Sequence, residues 1–398
     1  MSILVLNAGS STLKFGLFDS DARDAYVAGS VDWDGPAGTA EIVLRPKGQV
    51  EERQPCAAND HQSAANLIIR TMTEPGRAPS SIAAVGHRIV HGGSAFRESV
   101  IVDPGVAKAI AELSELAPLH NPQAVAVLEA ATAALAEVPH VAVFDTSFYA
   151  QLPQASVVYP LPYEWYRDRG IRKFGFHGIS HAYCAGRAAE LLGRPSKDLR
   201  LVICHLGNGC SATAVRDGIA VDTTMGYTPM DGLMMGTRAG AVDPGILLHL
   251  LQHDGFTPDS LDNALNHQSG LLGVSGVSSD FRKVEEAAQG GNERARLALE
   301  IYAARVRSAI GSLSATLGGV DALIFTAGVG ENSSTFRASA CAGLRFLGIQ
   351  LDPRRNTEAR PDAEITAEGF TTRVLILHTR EELMIARETL RLSAARRA

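Results

Sequence analysis

Cysteine is scarce in this 398-residue chain and poorly arranged for cross-linking. The five present (Cys56, Cys184, Cys204, Cys210 and Cys341) are an odd number and include no Cys-x-x-Cys pair. That argues against a disulfide framework and against a thiolate zinc site, and favours reduced thiols in a cytoplasmic setting. Long apolar runs are also missing. No stretch approaches the roughly 18–20 apolar residues that span a bilayer. The N-terminal run Ile3-Leu4-Val5-Leu6 stops after four residues and has no cationic leader, so it does not read as a signal peptide. Nor is there a basic stripe: the net charge of −6 is mild and spread along the chain, which removes nucleic acid from the expected partners. The expectation is a soluble, cytoplasmic protein that engages neither membrane nor nucleic acid.

What the chain does contain is core. Apolar residues make up 45% of it, and its length suits two domains of ordinary size. A strand at Ile3 to Leu6 leads into the small polar turn Asn7-Ala8-Gly9-Ser10-Ser11-Thr12. A return strand follows in which Leu13, Phe15 and Leu17 alternate with Lys14 and Gly16. The turn thus lies between antiparallel strands, unlike a P-loop or dinucleotide fingerprint, whose glycines open a helix.

The same shape recurs at Leu201 to Leu206, Gly207-Asn208-Gly209-Cys210-Ser211, and Ala212 to Val215. A shift of 200 superposes Gly9 on Gly209 and Ser11 on Ser211, which suggests a duplicated unit with one phosphate-facing hairpin per half. Elsewhere helices alternate with strands. Pro122 starts an Ala-rich helix ending near Val138-Pro139, and Leu297 to Leu317 keeps helical spacing up to Gly318-Gly319. The strand Ala322 to Thr326 then delivers Ala327-Gly328-Val329-Gly330-Glu331-Asn332 at its carboxyl end. This is an α/β chain of layered domains, in which ligands gather beyond the carboxyl ends of strands.

Eight segments, in order along the chain, resemble the acetate kinase family (acetokinases). They are Asn7 to Ser11 with Lys14, His87 to Gly93, Phe144 to Thr146, Gly175 to His181, His205 to Gly209, Met234 to Arg238, Gly328 to Asn332, and Glu381 to Ala386. The resemblance implies a duplicated actin-like, ribonuclease-H-like ATPase fold with two domains and a central cleft. The expected division is residues 1–149 plus 383–398 in an N-terminal domain, and 150–382 in a nucleotide-binding and dimerisation domain. It implies reversible transfer of the ATP γ-phosphoryl group to acetate, giving acetyl phosphate and ADP, in a homodimer.

Phosphoryl transfer asks a protein for positioning and for positive charge around three equatorial oxygens. Arg88 and Arg238 are the candidates, since a planar guanidinium grips carboxylate or phosphate with two parallel bonds. Glycines flank both. His177 resembles the family histidine that touches the phosphoryl group. The His87/His91 and His177/His181 spacings suggest zinc only superficially, because neither holds the Glu of a metalloprotease motif.

Asp145 ends the strand Val141 to Phe144. In the family it is described as a proton donor or acceptor. A carboxylic acid of pKa near ~4–4.5 is already ionised at neutral pH and needs no base. Asp145 is therefore expected to orient His177 or an arginine, or to hold a magnesium-bound water. By the resemblance, Asn7 and Glu381 hold Mg2+ or Mn2+ on the nucleotide, and Lys14 touches phosphate. ATP or ADP is expected at His205, Leu206, Gly207, Asn208 and Gly209, at Asp280, Phe281 and Arg282, and at Gly328, Val329, Gly330, Glu331 and Asn332. Val90, Leu119, Phe176 and Pro229 match the acyl pocket. Three positions depart from the family pattern: Arg380 for Asn, Cys210 for Ser and Ala241 for Asp.

Other readings need other features. A propionate or butyrate kinase would share the scaffold, with preference set at Val90. An actin-like switch that hydrolyses ATP with water has no use for an acyl pocket. A sugar or polyol kinase would need a hydroxyl-binding site and a true base.

Overall fold

The structure is a computed structural model that describes residues 2–9, 12–19, 21–33, 40–74, 81–118 and 120–395. Ser10 and Ser11 of the first turn, and Leu119, lie outside the described residues. The chain divides into two compact units, residues 1–150 with 380–398 and residues 151–379.

The first unit is built on an eight-stranded sheet. Its strands are β1 (Ser2–Ala8), β2 (Thr12–Phe18), β3 (Ala25–Asp32), β4 (Ala40–Pro46), β5 (Glu52–Cys56), β6 (Ile82–Ile89), β7 (Val100–Ile101) and β8 (His140–Phe144). The order is β5-β4-β3-β2-β1-β6-β8-β7. The β1–β2 hairpin is antiparallel as its alternation predicts, with Leu6 opposite Phe15 and Asn7 opposite Lys14. β6 then pairs with β1 in parallel, and β8 with β6. Period-two alternation along β6 sends Val85 and Ile89 to one face and Gly86 and Arg88 to the other. Val85 and Ile89 join a core with Ile68 of the helix His61–Thr73 and Leu128 of the helix Asn121–Ala134. On the Gly86 face lies the C-terminal helix Glu381–Ala395. A Cβ on Gly86 would meet Thr389 Oγ1, and would come within 2.8 Å of Ile385 Cγ2. Glycine is what lets this helix lie against β6.

The second unit carries a six-stranded sheet of β9 (Arg200–Leu206), β10 (Cys210–Arg216), β11 (Ile219–Thr223), β12 (Ala322–Thr326), β13 (Ala363–Glu364) and β14 (Arg373–Ile376). Its order is β11-β10-β9-β12-β14-β13. The run β11-β10-β9-β12-β14 repeats β3-β2-β1-β6-β8 strand for strand. β9 and β10 form the antiparallel hairpin, and β12 and β14 add in parallel. The duplication suggested by the two glycine turns is therefore present in the topology of both sheets. The long helix Glu293–Leu317 buries Val306, Ile310 and Leu313, and Gly318 closes it in the left-handed conformation. The helix Gly178–Leu192 lies along β9 and β12. Among the described residues no helix is long and apolar enough to cross a membrane. All five thiols are free, and four are buried.

Candidate active site

In the first unit the strand register builds a row of polar side chains from Lys14 on β2 through Asn7 on β1 to Arg88 on β6. Asn7 is directly opposite Lys14, and His87 is paired with Leu6, which brings Arg88 beside Asn7. Lys14 is exposed, whereas Asn7 is buried. The Arg88 guanidinium is held on two sides. Nη2 and Nε donate to Asp145 Oδ2 at 2.6 and 3.1 Å, and Nη1 donates to Asn7 Oδ1 at 3.3 Å. Asp145 reaches this position because β8 ends at Phe144, and its own amide donates to Ile89 O. The Arg88 side chain is 15% exposed and that of Asp145 1%. Burial works against the Arg88 charge, but Asp145, Glu381 and Glu382 outweigh it and hold the guanidinium above its ordinary pKa. Of the tasks expected for Asp145, the geometry shows one: it orients an arginine.

Asn7 also donates through Nδ2 to Glu381 Oε2 at 3.1 Å and to Glu382 Oε1 at 2.9 Å. Both glutamates sit in the first turn of the C-terminal helix, where the helix dipole favours negative charge. Glu382 thus joins Glu381 at this site, and its only signal in the sequence is the doublet Glu381-Glu382. The donor set is two carboxylates beside an amide, with Arg88 offsetting part of the negative charge. It matches the hard oxygen ligands a magnesium ion takes, but the Asn7 oxygen is turned to Arg88 and not to the carboxylates. Arg380, the preceding residue, pairs with Asp24 at 3.6 Å and is half exposed. Val90 follows β6 and is buried. The nearby His91 is fixed by Asn121, which accepts from the His91 amide and donates to its carbonyl. His87 lies on the face opposite Arg88, paired with His140 at 2.9 Å.

The second unit gathers a second set of groups around the β9–β10 turn. His177 adopts φ 59°, a left-handed conformation unusual outside glycine, and heads the helix Gly178–Leu192. Its ring stacks on His205 with centroids 4.2 Å apart, and Nδ1 lies 2.9 Å from Ser211 Oγ. His181, one helical turn on, reaches the same hydroxyl through Nε2 at 2.7 Å. A Cβ on Gly209 would lie 3.3 Å from His177 Nε2 and 3.7 Å from Arg238 Nη1. These two nitrogens therefore flank one spot on the turn, and glycine keeps it open. Arg238 Nη1 also donates to Pro229 O at 3.2 Å, and burial lowers the Arg238 pKa from its ordinary value. Phe176 is buried beside His177 in sequence.

The remaining nucleotide candidates divide. Gly236 N donates to Asn208 O at 3.0 Å, so the turn Gly207–Gly209 is tied to the segment that carries Arg238. Asp280 caps the helix Phe281–Gln289 by accepting from the Arg282 amide, and it also pairs with the exposed Arg282 guanidinium. The Phe281 ring is packed inward against Tyr302 and Phe336. Gly328, Val329 and Gly330 form the short helix Ala327–Asn332 after β12, and Asn332 bonds back to Gly328 O. The Glu331 carboxylate ties the start of this segment to Thr379 and His378. It accepts from the amides of Ala327 and Thr379 and lies 2.6 Å from His378 Nδ1. Ser180 bridges His205 and Thr379 at 2.8 Å each. Cys210 is no exposed thiol: it is buried against Tyr302 Oη at 3.0 Å, and burial pushes its pKa up to about 12. Among the described residues no cluster of three or more His, Cys, Asp or Glu side chains is placed to hold a metal.

Comparison with known proteins matches this arrangement along its whole length. The chain is 49% identical to the acetate kinase of a Cyanothece strain, over 98% of this chain and 97% of that protein. It is 48% identical to the acetate kinase of Gloeobacter violaceus, over 98% of each. Among solved structures, the Porphyromonas gingivalis acetate kinase superposes with a TM-score of 0.89 at 39% identity, covering 98% of this chain and 99% of that one. A propionate kinase from Francisella tularensis gives 0.91 at 36% identity over the same shares. The fold is thus the duplicated α/β architecture of actin-like kinases. The profile of the acetokinase family matches residues 2–387, and the chain belongs to that family.

Proposed function

We propose that this protein is an acetate kinase, an ATP-dependent phosphotransferase that moves the γ-phosphoryl group reversibly between ATP and acetate. The observation that carries the reading is the state of Arg88. It is a buried guanidinium clamped by Asp145 and Asn7, beside two carboxylates at a helix N-terminus, in a chain 49% identical to an acetate kinase. A guanidinium fixed this way costs little reorganisation when it meets an anion.

In the proposed reaction an acetate oxygen forms a bond to the γ-phosphorus as the bond from phosphorus to the ADP oxygen breaks in line. Acetate arrives ionised, so no group need take its proton. Asp145, engaged with Arg88, serves as an orienting residue. Arg88 holds the acceptor carboxylate, and Arg238 with His177 faces the charge that develops on the transferred oxygens. The turn Gly207–Gly209, with His205 and Leu206 before it, and Gly328, Val329, Gly330 and Asn332 are assigned to the nucleotide. Asp280, Phe281 and Arg282 serve by backbone position, and Lys14 touches phosphate. Glu381, Glu382 and Asn7 would hold a divalent cation, Mg2+ or Mn2+, which supplies charge neutralisation of the nucleotide phosphates. Val90, Leu119, Phe176 and Pro229 are assigned to the acyl group.

The proposal includes a homodimer in the cytoplasm. The helix Pro244–His253 supports the dimer: Ile246, Leu248 and Leu251 are exposed on it, next to exposed Val242 and Phe256. The five free thiols fit a reducing compartment.

A second reading, a propionate kinase, is favoured by the likeness to the Francisella enzyme. One assay separates the readings: acyl hydroxamate trapped with hydroxylamine from ATP and each straight-chain acid. The highest kcat/KM is expected with acetate. An optimum at three or four carbons supports the longer-chain reading. Turnover of ATP without added acid, and no hydroxamate from any, overturns the kinase assignment.

A further inference from the structure

Ser211 and His181 stand one step behind His177. The hydroxyl of Ser211 carries one proton, yet it lies within hydrogen-bond distance of two imidazole nitrogens, His177 Nδ1 at 2.9 Å and His181 Nε2 at 2.7 Å. With one proton and two lone pairs, it either gives its proton to one ring and accepts from the other, or accepts from both rings and donates elsewhere.

His181 is wholly buried, and burial together with its neighbour His205 holds its pKa well below the ordinary histidine value. It is neutral and brings a single N–H. Three settings of the bonds remain. In one, His181 Nε2–H donates to Ser211 and Ser211 donates to His177 Nδ1, so the His177 proton resides on Nε2. In the other two, His177 donates from Nδ1, with Ser211 either donating to His181 or accepting from both rings, and His177 Nε2 carries either a lone pair or a second proton.

The surroundings of Nε2 separate these settings. That nitrogen and Arg238 Nη1 flank the same spot on Gly209. A lone pair aimed there repels an anionic oxygen. A doubly protonated ring would place a second cation close to Arg238, whose charge burial already disfavours. The first setting alone presents a donor without adding a charge. The supports are also rigid: Ser211 and His205 are cross-strand partners on β10 and β9. One strand pair therefore supplies both the hydroxyl that bonds the His177 ring and the ring on which it stacks.

We propose that Ser211 and His181 are positioning residues that hold His177 as its Nε2–H tautomer, making it a neutral hydrogen-bond donor to a phosphoryl oxygen seated at Gly209 beside Arg238. This rests on the kinase reading above and names the partners that set its histidine.

The test uses the full-length protein labelled with 15N-histidine. Long-range 1H–15N imidazole spectra at neutral pH, with His177 assigned from the signal lost in His177→Gln, should show the Nε2–H tautomer. An Nδ1–H tautomer or a doubly protonated ring overturns the proposal, and this readout needs no turnover and no variant of Ser211 or His181. In kinetics, Ser211→Ala should lower kcat by roughly 100-fold, the usual cost of losing one aligned donor. KM for acetate and for nucleotide should stay within about threefold, since ground-state binding is untouched. Ser211→Thr, which keeps the hydroxyl, should recover most of the loss. An unchanged kcat in Ser211→Ala sinks the idea. If wild-type protein forms no acyl phosphate at all, the kinase reading fails, while the tautomer spectrum still decides the relay.

Discussion

Asp145 Oδ2 accepts two hydrogen bonds from the Arg88 guanidinium, from Nη2 at 2.6 Å and Nε at 3.1 Å, and this pair ties the end of β8 to the end of β6. A carboxylate occupied in this way has its task in holding charge and direction for its partner. Asp145→Asn should therefore lower kcat/KM for acetate by about 100-fold while leaving its pH profile the same shape from pH 6 to 9. A loss that grows or shrinks along a base titration would instead return Asp145 to a proton-transfer role.

Gly86 should tolerate no side chain. Its added Cβ would strike Thr389 and Ile385 of the C-terminal helix. Gly86→Ala is expected to cost about 1–3 kcal/mol, the usual range for overpacking, read from denaturant midpoints at unchanged m-value. Because that helix begins with Glu381 and Glu382, the apparent affinity for magnesium should weaken in the same variant.

Three histidines should make the fold acid-sensitive. Burial, with a neighbouring imidazole in two cases, holds the pKa values of His87, His140 and His181 below the ordinary value. The unfolded chain binds protons at these positions below about pH 6.5, and the folded chain does not. Stability is thus present above the unfolded pKa and declines as pH falls through it. Equilibrium unfolding measured from pH 7.5 to 5 should show that decline. His87→Gln should flatten it, and an unaltered slope in this variant would refute the assignment for the His87–His140 pair.

Val90 should tune acid length. Val90→Ala removes two methyl groups from a buried position beside the Arg88 strand end. The propionate-to-acetate ratio of kcat/KM should rise by about tenfold, within the roughly 1–3 kcal/mol a methylene is worth in such a pocket. A constant ratio would remove Val90 from the acyl contact.

Much of the fold is legible from local pattern. Alternation of Leu13, Phe15 and Leu17 is enough to make β2, and helical spacing from Leu297 to Leu317 marks most of one long helix. The 200-residue shift between the glycine turns anticipates two sheets with matching strand orders. The site is less legible. Arg88, Asp145 and His177 stand out by residue type and glycine neighbours, but their pairings do not. Glu381 can be matched to a motif, yet its bond to Asn7 across 374 residues cannot be read from either segment. Ser211 looks like an ordinary turn residue, and the His177/His181 spacing invites a metal, whereas both rings reach the Ser211 hydroxyl.

By itself the sequence determined which segments become strands, turns and helices, and that the pattern occurs twice. These depend on side-chain period, on glycine and proline geometry, and on apolar burial, all of which act over a few residues. Only the tertiary structure decided that Asp145 orients Arg88, that two glutamates share the Asn7 amide, and that one serine hydroxyl joins two histidines. Those bonds depend on distances set by sheet register and helix docking, and packing alone brings residues so far apart in the chain within hydrogen-bond reach.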